Sequence, residues 1–238
     1  KGYKLILVIP DKMSEEKINN LKAMGVEIIL TRSDVCKGHP EYYQDIAERL
    51  AKENGYYFIN QFSNPANPLA HETTTAPEIF EQMEGKIDAI VAGVGSSGTI
   101  AGLTAFFKKH SPHTEFILAD PVGSVLTEYI NCGQLGKDIC SWYVEGIGED
   151  FIPSICDFSM TTKAYSISDK ESFMTARELL RKEGVLAGSS TGTLLAAALK
   201  YCSEQTEPKR VVTFACDSGN KYLSKMFNDE WLASKGLI

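Results

Sequence analysis

Long apolar runs are absent from this chain. The longest covers residues 5–9, Leu-Ile-Leu-Val-Ile, whereas a helix that crosses a bilayer needs about 20 such residues. An excess of basic residues is absent too: 24 Lys and Arg face 31 Asp and Glu, for a net charge of −7. A dedicated nucleic-acid binder needs a basic face to neutralise phosphates, so this balance argues against that class. The six cysteines, Cys36, Cys132, Cys140, Cys156, Cys202 and Cys216, contain no Cys-x-x-Cys pair. The four histidines, His39, His71, His110 and His113, are scattered rather than clustered at ligand spacing. Metal-site patterns are therefore missing, and the thiols are expected to be free in a reducing cytoplasm. No signal-peptide pattern or polybasic tail is recognisable. The remainder is ordinary globular usage: 238 residues, 43% hydrophobic and 23% charged. That composition excludes a disordered chain, a collagen-like fibre and a disulfide-rich miniprotein.

Hydrophobic periodicity alternates between two patterns. Residues 5–9 read as a buried parallel strand closed by Pro10. Ser14 is placed to cap a helix with an apolar stripe at Ile18, Leu21 and Met24, stopped by Gly25. Further strands are expected at residues 26–30, 56–59, 87–91, 116–119 and 211–214. Helices are expected at 41–54, 69–83, 99–109, 169–183 (capped by Ser168 or Asp169) and 191–203, with a short helical tail. Residues 121–141 read as a loop. The Asn-, Pro- and Ser-rich residues 60–68 suit a crossover between two lobes. Strands alternating with helices predict an α/β fold with a parallel sheet covered on both faces. The chain opens on Lys1-Gly2-Tyr3, without Met, directly into a strand. The expectation is that Lys1 is an interior residue of a longer protein.

The sharpest local feature is AGVGSSGTIAG, residues 92–102, between an expected strand and an expected helix. Small residues let the backbone turn so that successive N–H groups converge, and the helix dipole adds positive potential there. Ser96, Ser97 and Thr99 add hydroxyls. This chemistry suits a phosphate dianion. Two ligands compete. Gly93-x-Gly95-x-x-Gly98, with Asp120 ending the next strand, matches a dinucleotide fingerprint. Three hydroxyls suit a terminal monoester phosphate better. Close packing without any ligand is a third explanation of the glycines. Three other loops stand out: GSSTG at 188–192, CDSGN at 216–220 and VEGIGEDFIP at 144–153. Taken alone, the first is more readily a capped helix start and the second a turn before a helix. The carboxylates of the third are equally a solvated charge run.

Taken together, these loops resemble the cystathionine β-synthase and cysteine synthase family of pyridoxal-phosphate enzymes, of the second fold type. QFSNPANP at 61–68, followed by His71-Glu72-Thr73-Thr74 and Pro77-Glu78-Ile79, resembles the family's substrate-side segment. Gly95-Ser96-Ser97-Gly98-Thr99 resembles its phosphate cup, with Ser97 where a glycine is usual. A serine there is strained if the position needs a positive φ. Gly188-Ser189-Ser190 resembles the loop that gives a hydroxyl to the pyridine nitrogen, a role that falls on Ser190. The acidic EGIGEDFIP and the tail SKMFNDEW, residues 224–231, resemble the cystathionine β-synthase version more than the cysteine synthase one.

The resemblance implies a three-layer α/β/α fold of parallel sheets, like the tryptophan synthase β-subunit, without its N-terminal portion. Residues 1–62 would form part of the smaller lobe and 63–238 the larger, cofactor-binding lobe. It implies pyridoxal 5'-phosphate held by Gly95, Ser96, Ser97, Gly98, Thr99 and Ser190. Amino-acid substrates would be bound by Gln61, Glu145, Gly146, Ile147 and Glu149. The implied reaction is β-replacement on L-serine with homocysteine to give cystathionine, a transsulfuration step of cysteine biosynthesis. The implied setting is a cytoplasmic homodimer without nucleic-acid, membrane or metal partners. The family's Schiff-base lysine precedes the segment that residues 1–10 resemble, so no catalytic residue is expected in this chain. Three alternatives stay open: a cysteine synthase using O-acetylserine or serine with sulfide, an NAD-binding oxidoreductase, and a non-catalytic binding domain.

Overall fold

The parallel strands predicted by the apolar runs form two separate sheets, each in its own unit. A computed structural model describes residues 1–35, 37–137 and 140–238; Cys36, one of the thiols expected to be free, lies outside them. Residues 1–60 and 218–238 form one unit, and residues 61–217 the other. The tail from 218 onward, expected in the larger lobe, thus groups with the N-terminal residues. Lys17 Nζ donates to Tyr222 Oη at 2.7 Å, and the Glu16 carboxylate accepts from Ser224 N and Oγ at 2.8 and 2.9 Å.

The first unit contains β1 (Ile6–Pro10), α1 (Glu15–Ala23), β2 (Glu27–Thr31) and α2 (Tyr43–Asn54). β1 and β2 pair in parallel, Ile6 opposite Glu27 and Pro10 opposite Thr31. Ser14 occupies the N-cap of α1, but its side chain makes no capping bond. Gly55 ends α2 in the left-handed region at φ 66°, as a terminating glycine does. Residues 56–59 are not a strand. The two-stranded sheet contains only β1 and β2 among the described residues, and Tyr57 is 85% exposed.

The second unit begins with a helical stretch in three parts: α3 (Ala66–Ala70), a π-helical turn at His71–Thr75, and α4 (Ala76–Gln82). Then follow β3 (Ala89–Ala92), α5 (Gly98–His110), β4 (Glu115–Pro121), α6 (Leu126–Cys132), β5 (Thr161–Ile167), α7 (Asp169–Glu183), α8 (Ser189–Ser203) and β6 (Val211–Val212). The strands form a parallel sheet in the order β5-β4-β3-β6. Ile90, Phe116 and Leu118 pack with Ile100, Leu103 and Phe107 of α5 in one buried cluster. By the two-residue alternation of a strand, Val91, Ile117 and Ala119 face the other side. There α8 lies against β3, β4 and β5. The result is the three-layer α/β arrangement expected from the sequence. Two elements depart from expectation. α6 interrupts the expected loop at 121–141, and β5 was not foreseen. Among the described residues, no helix is long and apolar enough to cross a membrane. A short helical tail, α9 (Asp229–Ser234), closes the chain in the first unit.

Candidate active site

β3 is buried at all four residues, and the chain turns from it into α5 through residues 93–97. Ser97, at the N-cap of α5, has φ 70° and ψ −2°. The position does need a positive φ, so the strain expected of a serine there is present. Ser97 is 4% exposed, and its hydroxyl has no hydrogen-bond partner. The Cys156 thiol is near enough to feel that hydroxyl but too poorly placed to bond it. Burial pushes the thiol up to about 12, against the pull of Ser97. The first N–H groups of α5 have no helical acceptors. Thr99 Oγ1 lies 3.3 Å from His71 Nε2, and His71 Nδ1 lies 3.0 Å from Thr75 Oγ1. Burial lowers the His71 pKa below its ordinary value, so the ring is neutral at pH 7. In the tautomer that donates from Nε2, the Thr99 O–H is left to donate into the cup.

Three other segments are tied to this turn. Asn67 Nδ2 donates to the Gln61 carbonyl at 2.9 Å and to Ser96 Oγ at 3.0 Å. Gly148 N donates to the Val94 carbonyl at 2.8 Å. Glu145 N donates to Ser189 Oγ at 3.1 Å. The loop at 145–149 therefore touches the cup at one end and the start of α8 at the other. Ser190, beside Ser189, is 5% exposed. The start of α8 is clasped in turn by residues 216–217: Cys216 N donates to Thr191 Oγ1 at 3.0 Å, and Gly188 N to the Asp217 carbonyl at 2.9 Å. The Cys216 thiol meets the Ser190 hydroxyl, which partly offsets the upward push of burial on its pKa.

The structure thus links the expected cup, Ser190 and the loop carrying Glu145, Gly146, Ile147 and Glu149 through hydrogen bonds, and it holds the backbone of Gln61 through Asn67. Glu145 is 1% exposed, so its carboxylate does not crowd an open rim; Glu149 is half-buried. Asn67, His71 and Ser189 had no assigned role in the sequence reading. Asn67 and His71 lie inside the quoted motif, which was their only signal. Asp120, the candidate ribose ligand, is buried. Its Oδ2 accepts from Thr127 N at 3.0 Å and Thr127 Oγ1 at 3.1 Å. Its Oδ1 is buried without a hydrogen-bond partner, so burial rather than saturation closes the carboxylate to a ribose, and the dinucleotide reading loses its second half. Burial raises its pKa to about 6.

The unpartnered buried hydroxyl of Ser97, beside helix-start N–H groups without helical acceptors, fits the phosphate of a cofactor. The model of the pyridoxal-phosphate-dependent enzyme family matches residues 1–217. The chain belongs to this family. Its relatives within the family include cystathionine β-synthases and a cysteine synthase. The chain is 41% identical over 239 residues to cystathionine beta-synthase of Apis mellifera, covering 100% of this chain and 47% of that protein. It is 38% identical to cysteine synthase A of Salmonella typhi, covering 94% of this chain and 70% of that one. A solved structure, the O-acetylserine-dependent cystathionine beta-synthase of Helicobacter pylori, superposes with a TM-score of 0.84 at 35% identity. It covers 93% of this chain and 69% of that chain. The chain spans about half the length of curated cystathionine β-synthases it matches, 47% and 43% of those from Apis mellifera and Oryctolagus cuniculus. The cofactor of the family is pyridoxal phosphate.

Proposed function

We propose that this chain is part of a lyase that replaces the β-hydroxyl of L-serine with the thiol of homocysteine, giving cystathionine and water. The observation that carries the reading is the meeting of the cup, the acidic loop and the start of α8 through the Val94–Gly148 and Glu145–Ser189 hydrogen bonds. Bound pyridoxal phosphate supplies the electron sink for losing the α-proton and the β-substituent. The residues of this chain hold and orient. Gly95, Ser96, Ser97, Gly98 and Thr99 take the phosphate through N–H and O–H donors. Ser190 offers the ring nitrogen a neutral hydroxyl, which stabilises a pyridinium less than a carboxylate does. That restraint on electron withdrawal favours β-elimination over a long-lived carbanion. Gln61 binds the substrate carboxylate. Gly146 and Ile147 border the second substrate, whose ammonium Glu149 attracts; sulfide has no such group. Glu145 orients the loop through its amide. The Schiff-base lysine is taken to lie outside these residues, and the working form to be a cytoplasmic homodimer.

The second reading is a cysteine synthase. The likeness to cysteine synthase A and to an enzyme described as O-acetylserine-dependent favours an acetylated donor. The deciding measurement is the visible absorbance of the holoenzyme before and after L-serine or O-acetylserine, followed by product analysis with homocysteine or sulfide. A band that shifts with L-serine and cystathionine as product support the first reading. A shift with O-acetylserine alone and cysteine as product move the assignment to the second. A protein that stays colourless after added pyridoxal phosphate overturns both.

A further inference from the structure

Asn67 is the second residue of α3 and contributes nothing to the sheet or its core. Its amide nitrogen has two protons, and both are used. One goes to the Gln61 carbonyl at 2.9 Å and the other to Ser96 Oγ at 3.0 Å. A carboxamide is planar, so the two acceptors are held at a fixed angle to one another. The side chain is also wedged in place. A Cβ added at Gly98 would stand 1.9 Å from Asn67 Oδ1, so the absence of one lets the amide lie directly against the first turn of α5. The main chain of Asn67 is pinned as well, its N–H donating to the Asn64 carbonyl at 3.0 Å. An acceptor role for Ser96 Oγ leaves the Ser96 O–H available to donate to another group. Asn67 therefore touches both ends of the site: the phosphate cup through Ser96, and the backbone from which the Gln61 side chain departs.

We infer that Asn67 is a positioning residue that couples phosphate binding at the cup to substrate-carboxylate binding at Gln61. The coupling rests on the proposed roles of Ser96 and Gln61. A phosphate that fixes the Ser96 hydroxyl fixes its bond to Asn67, and Asn67 then holds the Gln61 backbone in one place. Coupling of this kind is reciprocal, so each ligand tightens the other.

The test uses the holoenzyme with Asn67→Leu, which keeps the bulk and removes both donors, and Asn67→Ala as a smaller companion. Three quantities are read: the dissociation constant of pyridoxal phosphate by absorbance titration, KM and kcat for L-serine, and the thermal midpoint. The dissociation constant and KM are expected to rise together, each about threefold to tenfold for the loss of a single hydrogen bond, with kcat changing less. Ser96→Ala, which cuts the link from the cup side, is expected to raise KM for L-serine as well. A rise in one constant with the other unchanged overturns the coupling, and so does a lowered thermal midpoint with neither constant moved. Gln61→Ala separates the levels. Unchanged KM in that variant overturns the role of Gln61 itself. Raised KM in Gln61→Ala with unchanged KM in Asn67→Leu overturns the inference about Asn67 alone.

Discussion

Ser97→Gly should stabilise the cofactor-free protein, although it removes a buried side chain. Ser97 sits at φ 70°, where a residue with a Cβ costs about 1–2 kcal/mol. Glycine removes that strain but gives back about 0.4–1 kcal/mol through the greater freedom of the unfolded chain. The serine hydroxyl is buried without a partner, and losing it relieves a further cost on the order of 1 kcal/mol. The sum is a gain of about 1–2 kcal/mol, or a rise in thermal midpoint of about 2–8 °C for a chain of this size. Ser97→Ala separates the two causes. It removes the hydroxyl and keeps the Cβ, so it should gain less than Ser97→Gly. Thermal unfolding must be followed without pyridoxal phosphate, because ligand binding to the folded state would mask the difference. A Ser97→Gly protein less stable than the parent by 1 kcal/mol or more, on the order of one lost hydrogen bond, would show that the hydroxyl has a stabilising partner and refute the reasoning. Equal gains in the two variants would refute the backbone half of it.

Other residues of the site give equally direct expectations. Gly98→Ala drives a Cβ against Asn67 Oδ1; it should cost about 1–3 kcal/mol in urea unfolding and weaken retention of pyridoxal phosphate. Ser190→Ala should lower turnover far more than cofactor retention, measured as kcat against the absorbance of bound cofactor; unchanged turnover would remove Ser190 from the proposed role. Asp120, raised from 3.8 to about 6 mainly by burial, keeps a proton in the folded state over a range where the unfolded state has released it. Its contribution to stability therefore falls as pH rises from about 4 to about 6, reaching a cost of about 3 kcal/mol at neutral pH. Asp120→Asn should lose that slope, read as the difference in unfolding free energy between the two proteins at each pH; identical slopes would contradict the buried charge.

Much of this was legible locally. α7 begins and ends where its capping serine and terminating glycine say: Ser168 Oγ accepts from Glu171 N at 3.2 Å, and Gly184 ends the helix with φ 72°. Asp169, the other cap candidate, instead accepts from Tyr143 N and Val144 N, 26 and 25 residues away. β3 was legible because all four of its residues are buried and apolar. β5 was not: in TTKAYSI only Ala164 and Ile167 are buried, which is too little apolar pattern to mark a strand. Tyr56 and Tyr57 carry strand propensity but pair with no strand among the described residues, and a strand is defined by its pairing. α6 has seven residues, and Asp120 binds its start from outside the segment. The π turn at His71–Thr75 leaves the helix continuous and so gave no sign in the periodicity. The glycines, hydroxyls and charges of the site could be read in order. Contacts across 29 residues, such as Asn67 to Ser96, left no pattern to read.

The glycines of the cup had two readings, close packing or approach to a phosphate, and the geometry removes the opposition between them. A Cβ at Gly93 would lie 2.7 Å from Ile147 Cγ2, and one at Gly95 would lie 2.5 Å from the Gly146 carbonyl oxygen. These are packing contacts, yet what packs there is the loop proposed to border the second substrate. At Gly98 the neighbour is Asn67, which holds the backbone of Gln61. The absent side chains admit the other walls of the site, and the backbone amides they leave bare are the same ones that would meet the phosphate. An alanine at Gly95 should therefore displace the 145–149 loop as well as crowd the phosphate. In a pure phosphate cup, cofactor affinity would fall while the kinetics of the second substrate stayed as they were. With packing and binding joined, KM for homocysteine should rise even at saturating pyridoxal phosphate, and a KM unchanged under that condition would separate the two roles again.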